Sequence, residues 1–501
     1  MAKQHEKVSG KVRKDLQEKV NSRTSAEHLY SQDDFMYRRG GPWPQPSPVH
    51  PFGESPGVIH VPWRENLDWW LWVGSRYVAT LALSPYFFLK ACFQPGLKAV
   101  SDDEFEDFFN YGMLSKFLSK KFDDLDHQSF DGLSQDDSKA WYIVDFTAVH
   151  VVQTWKDISV SPTRTLFYKE GDRFHLHAIW VGATDTLFVK GADDFTDAAW
   201  ELAKYFVMQG GALCATLVMH PTLHFPYDSI NAIIKTALPR DHILFRLLYP
   251  HTRFTLPLEN AVLNYRSSLL QEKWWMTYAP YPGPPRGLRD LLVEGYQGMK
   301  DDLSYEPFSY PMKDPSYEGK YGLYLQTYYR VFYDYVKTVL KDVQEGDFSI
   351  NTWADYCHHY VRDFPSSATI WQDDNLIRAV TTYMFTVTVG HSVDHDNYGK
   401  MDKRQIPLRI RHAPPTKTLA VLNRKSLVKP WDMMKYYMAD ILFFSPTTVT
   451  QLIDVRYRFQ EPFQNEAAKK FKDDLRAAEQ RLIKQGAQYM PLKTIARSIQ
   501  Y

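Results

Sequence analysis

The sequence predicts a mainly α-helical protein, one large helical domain with a small β portion. Three observations carry that expectation. From Trp63 onward apolar residues recur mostly at helical spacing. Only Thr147 to Val181, with HVVQTW, TRTLFYKEG and FHLHAIWV, alternates in the manner of short strands. Hydrophobic residues make up 44% and aromatic residues 15% of the 501-residue chain, which suits a bulky core and excludes a disordered chain.

The elements follow in order. Residues 1–60 are expected to form a loosely structured arm, because Gly40 to Gly57 is rich in Pro, Gly and Ser. Residues 61–501 are expected to form one domain. Leu67 to Phe93 is the most apolar stretch, but it carries Asp68, Arg76, Lys90 and Pro85. It reads as a buried or membrane-facing helix pair rather than a span. Thr196 to about Tyr265 reads as successive helices broken by Pro and Gly. Pro280 to Tyr321, rich in Pro, Gly and Tyr, reads as a surface connection. Helices are expected again at Leu323 to Gln344, Thr352 to Arg362, Asn375 to His395 and Glu466 to Gln485, the last strongly amphipathic.

Composition narrows the function classes. The 59 basic and 59 acidic residues cancel, so a nucleic-acid partner is not expected. Three widely spaced cysteines, Cys92, Cys214 and Cys357, make no disulfide framework. Met1 to Arg23 has no apolar run of the secretory kind, so a cytoplasmic location is expected. The glycines form no phosphate loop, and no G-x-S-x-G elbow is present.

Two histidine pairs stand out. His220 and His224 lie in LVMHPTLHFPYD, and His391 and His395 in TVTVGHSVDHDNYG. At i, i+4 spacing each pair points from one helix face. Two such faces can supply four imidazoles to one metal ion, and imidazole suits iron, copper, zinc or manganese. Hydrogen-bonded core histidines without a metal are the competing account. Cys357, His358 and His359 diverge around a helix and read as a solvated face. His175 and His177 share one strand face and read as packing or pocket lining.

The surrounding residues resemble the lipoxygenase family. WELAKYFV, Trp200 to Val207, resembles the W-x-L-A-K-x-x-V opening of that family's central helix. DHILFRLLYPHTRFT, Asp241 to Thr255, resembles its H-P-I-x-K-L-L-x-P-H-x-R-x-T segment, with Arg246 in place of Lys. His224 matches the third histidine of the iron-binding signature, Asp228 its acidic residue, and His391 the ligand histidine of the late helix. The tail YMPLKTIARSIQY resembles the family's ending. The likeness runs from about Trp200 to the end of the sequence.

That resemblance implies one non-haem iron or manganese ion. Its implied ligands are His220, His224, His391, His395 and the carboxylate of Tyr501. The oxidised centre would take a hydrogen atom from a pentadiene, and oxygen would then add to the carbon radical. The implied function is a dioxygenase acting with O2 on a polyunsaturated lipid or polyene natural product. Peripheral membrane contact is expected, but no obligate protein partner. Two alternatives keep the cavity: an isomerase or cyclase of a polyene or hydroperoxide, and a non-catalytic lipophile-binding relative. No separate N-terminal β-sandwich is expected.

The sequence also departs from the family pattern. Ala215 replaces the first signature histidine. The i, i+4 spacing of His220 and His224, shared with fungal manganese forms, calls for no π-type widening, although Pro221 is placed to disturb the helix. His395 stands where the family usually has Asn, and where His is also known. Tyr501 replaces the usual Ile or Val. LENAVLN, Leu258 to Asn264, does not align, which points to a substrate other than an ordinary fatty acid.

Overall fold

The computed structural model describes residues 63–122, 128–131, 133, 138–258, 280–284, 288, 290–291, 310–361, 363–444 and 450–500. The arm expected over 1–60 and the implied ligand Tyr501 lie outside the described residues. Helices dominate, with one antiparallel four-stranded sheet.

The chain enters through α1 (Trp63–Trp69), a π turn (Trp70–Gly74), α2 (Ser75–Ala82) and α3 (Ser84–Phe93). Pro85 sits at the start of α3, where its missing N–H costs nothing. These are the helices expected from the apolar stretch. Trp69, Val73, Phe87 and Ala91 face the core, while Leu71, Trp72, Val78 and Phe93 are exposed. Next, α4 (Asp102–Asn110) opens on a capping box. The Glu104 N–H donates to Ser101 Oγ at 3.1 Å, and the Ser101 N–H to the Glu104 carboxylate at 3.1 Å.

The sheet comprises β1 (Ala140–Asp145), β2 (Thr163–Glu170), β3 (Arg173–Val181) and β4 (Thr186–Val189), hydrogen-bonded in that order. It falls close to the expected β portion but begins earlier. HVVQTW is not a strand: residues 147–151 form a 3-10 turn. There His150 Nδ1 reaches the Thr147 carbonyl at 3.0 Å, a local bond that competes with pairing. Gly171, at φ +59°, makes the tight turn between β2 and β3. α4 docks on β3 through buried Asn110, whose amide bonds the Phe174 N–H and carbonyl at 2.8 Å each.

α5 (Asp197–Cys214) is capped by Thr196, whose Oγ1 accepts from the Ala199 N–H at 3.1 Å. It is apolar around nearly its whole circumference, as a central core helix must be. The stretch 197–235 contains an 18-residue window apolar enough to cross a membrane, but 83% of that window is buried inside the protein. α6 (Phe225–Ala237) and α7 (Ile243–Leu248) follow. α8 (Gly319–Val339), α9 (Phe348–Tyr360), α10 (Asn375–Phe385) and α11 (His391–Lys400) match the expected middle helices within a few residues, with a π turn (Thr386–Gly390) joining the last two. α12 (Pro430–Ala439) and α13 (Pro462–Lys484) complete the bundle. α13 packs its apolar stripe on α8, where Tyr335 stacks on Phe471 at 4.2 Å.

Two expectations are corrected here. Residues 280–283 and Tyr310, inside the supposed surface connection, are buried. Gly283 lies so close to the Gln153 carbonyl that a Cβ would sit 1.7 Å from its oxygen. Cys357 is fully buried rather than on a solvated face, and His358 Nδ1 bonds the Phe364 carbonyl at 2.6 Å.

Gly210 on α5 presses against Phe146, where a Cβ would lie 2.8 Å from the Phe146 Cβ. Gly210→Ala is therefore expected to cost about 1–3 kcal/mol in urea unfolding, through overpacking that cannot relax. At Gly390 the nearest atom would be 3.7 Å away, so Gly390→Ala is expected to be neutral or stabilising.

Candidate metal centre

The helical pathway sets the directions of the four histidines. α5 does not run on regularly into His220. A π turn (Ala215–Met219) and then a 3-10 turn (His220–Leu223) intervene. This corrects the expectation that an i, i+4 pair needs no widening. Pro221 has no N–H to give a carbonyl one turn back, so the ladder loosens before it and tightens after it. The same device precedes the second pair, where the π turn 386–390 delivers His391 to the start of α11. On α11 itself, His391 and His395 sit at regular helical spacing.

The four rings converge. His220 Nε2 lies 2.8 Å from His224 Nε2 and 3.0 Å from His395 Nε2, and His224 Nε2 lies 3.0 Å from His391 Nε2. Taking one ring nitrogen from each, all four lie within 4.8 Å of one another. His224, His391 and His395 are buried, and His220 is nearly so.

Burial also fixes their charge. It pushes His220 down to about 3, with the Lys116 charge adding to the effect. It holds His224, His391 and His395 well below the usual histidine range, and neighbouring imidazoles add to this. All four are therefore neutral near pH 7.

Neutral rings cannot satisfy this geometry with protons alone. Each Nε2 carries at most one hydrogen, and each N–H serves one contact. Along the chain His395, His220, His224, His391 only two of the three contacts can be hydrogen bonds. A cation at the centre removes the conflict, because every Nε2 then offers a lone pair. Two ligands about 2.1 Å from one ion and at right angles to each other lie about 3.0 Å apart. The three short spacings match that figure, so the residues present fit a single ion after small adjustment of the wider pairs.

A supporting shell orients the rings. The His395 ring interacts with the backbone of Phe443, which lies in another π turn (Asp440–Phe444), and that interaction opposes the downward shift of its pKa. Asp394, between the two α11 histidines, is buried and engages Lys116 through both oxygens at 2.7 Å. The Tyr321 hydroxyl donates to it at 2.5 Å. Compensated in this way, the carboxylate locks the roll of α11.

The tail threads into the same region. Ile499 and Gln500 are fully buried. The Ala496 N–H donates to Ser392 Oγ at 3.1 Å, beside His391. His251 Nδ1 donates to the Arg497 carbonyl at 2.7 Å, and the ring's Nε2 accepts from the Tyr457 hydroxyl at 2.8 Å. Gln500 bonds the Thr450 carbonyl at 3.0 Å. In the sequence His251 is one position of a motif, and its clamp on the tail emerges only in three dimensions. His242 caps α7 by accepting from the Leu244 N–H. His175 stacks on Tyr168, and His177 meets Trp141 edge to face, so both pack on the sheet away from the cluster.

With this geometry in view, the likeness to solved structures is informative. The fold is that of the lipoxygenases. Coral 8R-lipoxygenase superposes with a TM-score of 0.64 at 15% identity, over 89% of this chain and 76% of that one. A lipoxygenase variant crystallised anaerobically in complex with arachidonate gives 0.65 at 15% identity, over 88% and 76%. The fungal lipoxygenase from Fusarium graminearum gives 0.59 at 16% identity, over 80% of each. No family model matches this sequence, and no curated relative does.

Burial lowers the His251 pKa to about 4, although its bond to the Arg497 carbonyl opposes the shift. As pH falls below the ordinary value of 6.5, the unfolded chain takes up a proton that folded His251 refuses, so stability drops until about pH 4. The stability advantage of the parent protein over His251→Gln should therefore be largest above pH 6.5 and shrink towards pH 4. Denaturant melts across that window check this; a gap independent of pH would contradict it.

Proposed function

We propose that the chain is a non-haem metal dioxygenase of lipoxygenase type. The observation that carries this reading is the set of four neutral, buried imidazoles whose Nε2 atoms fit one ion. His220, His224, His391 and His395 hold the metal, iron or manganese, and the Tyr501 carboxylate is its fifth ligand. The burial of the tail up to Gln500 supports that last assignment.

When bound, such a redox-active ion supplies a one-electron acceptor for hydrogen-atom abstraction from a pentadiene, after which O2 adds to the carbon radical. The protein's part is orientation and exclusion of water. Neutral histidines bind the ion without first shedding protons. Asp394 and Lys116 hold α11, and the Phe443 backbone lies against the His395 ring. The burial of the rings would keep bulk water from a carbon radical formed beside them. The substrate in this reading is a polyunsaturated lipid or polyene, in keeping with the arachidonate bound by the structural neighbour.

The first test is metal analysis of the purified protein with oxygen uptake on polyunsaturated fatty acids. About one iron or manganese per chain is expected, and His220→Ala or His391→Ala should cut metal content at least about 10-fold and abolish uptake. A folded parent protein that binds neither metal would sink the proposal. The second test concerns the tail. Residues appended after Tyr501 should sharply lower both bound metal and uptake, whereas full retention of both would remove Tyr501 from the ligand set.

A further inference from the structure

A cleft of about 760 Å³ opens beside the tail, and none of the four histidines lines it. Its walls carry seven cationic side chains against two carboxylates. Both carboxylates are already engaged: Glu65 pairs with Lys235 at 3.0 Å, and Asp68 receives two bonds from Arg253 at 3.0 Å each. Arg246 donates to the carbonyls of Asp241 and Arg458. Arg240 is engaged as well. The remaining charge is concentrated on Arg456, Arg458 and Arg497, which make no ion pair with a described carboxylate.

Arg497 is the most telling of these. Its backbone is fixed, with its N–H donating to the Thr450 carbonyl at 3.0 Å and its carbonyl held by His251. Arg497 lines the cleft, and its Nε is buried without a hydrogen-bond partner. A buried donor of this kind costs roughly 1–3 kcal/mol unless something binds it. Clustered like charges add mutual repulsion, which a bound anion relieves. Guanidinium groups present planar forks that match phosphate and carboxylate oxygens. A single carboxylate would neutralise only one of the three unpaired arginines, so the charge calls for a multiply charged anion.

We propose that this cleft is a binding site for a phosphate-bearing polyanion, separate from the metal centre. Arg456, Arg458 and Arg497 grip the phosphate oxygens, and the half-exposed Tyr249 ring, stacked on Phe245 at 4.8 Å, forms one lip. The ligand is either a soluble polyphosphate ester or a multiply phosphorylated lipid headgroup. The proposal does not depend on the oxygenase reading. It does place the ligand on the C-terminal tail, one residue from Ala496, which bonds Ser392 beside His391.

The test uses the full-length protein and inorganic tripolyphosphate, followed by calorimetry and thermal shift. Saturable binding that weakens with added salt is expected, since charge dominates it. The double variant Arg456→Gln/Arg458→Gln should weaken binding at least about 10-fold, as expected for lost charge-assisted bonds. Arg456→Lys/Arg458→Lys, which keeps charge but loses the fork, should fall between and guards against misfolding of the first variant. Flotation with phosphatidylcholine vesicles, with or without phosphatidylinositol bisphosphate, separates the sources. Flotation only with the phosphorylated lipid, and lost in the glutamine variant, supports the site and assigns it to a headgroup. Tripolyphosphate binding without flotation supports it and assigns it to a soluble ester. No saturable binding, binding untouched in the glutamine variant, or equal competition by acetate would overturn the proposal.

Discussion

Four imidazoles packed neutral and edge to edge in the protein interior are the constraint on which the rest of this structure depends. Their nitrogen contacts cannot all be hydrogen bonds, so the arrangement is stable only with a shared cation or at an energetic cost. Everything around them serves to hold that geometry. Two helices must arrive from different directions with the right faces turned inward, and a bulky aromatic interior must keep water out. The helix that carries His391 and His395 must also be held in place, to which the Asp394–Lys116 pair contributes, and the Phe443 backbone lies against the His395 ring.

The π turns are the means by which a helical bundle meets these demands. Of the four π turns among the described residues, two, 215–219 and 386–390, lie immediately before the two histidine pairs, a third, 440–444, carries the backbone that meets His395, and the fourth, 70–74, lies in the entry helices. One extra residue per turn rotates the following face without breaking the helix. Pro221 and the 3-10 turn after it complete the adjustment on the first pathway. The local irregularities are therefore concentrated where side-chain direction matters most.

Much of this was legible in the sequence. The helical class followed from apolar spacing, and the four histidines from two i, i+4 pairs, since that spacing carries direct geometric meaning. The resemblance to lipoxygenases rested on Trp200 to Thr255 and on the tail, and the fold agrees with it. What escaped were features set by tertiary contact. The burial of Tyr281 and Tyr310 reverses the polar look of a Pro- and Gly-rich segment, because composition says nothing about what packs over it. The 3-10 turn at 147–151 replaces an alternating run, and the π turns leave no signature in hydropathy. The clamp of His251 on Arg497 joins residues too distant in sequence for any local pattern to reveal.

X-ray absorption spectroscopy at the metal edge, on protein loaded with iron or manganese, addresses the central claim most directly. The account predicts a first shell dominated by imidazole nitrogens at about 2.0–2.2 Å, with multiple scattering from four rings. Loss of one ring's scattering in His391→Ala would place that ligand. A first shell of water or carboxylate oxygen with no more than one imidazole would contradict the account.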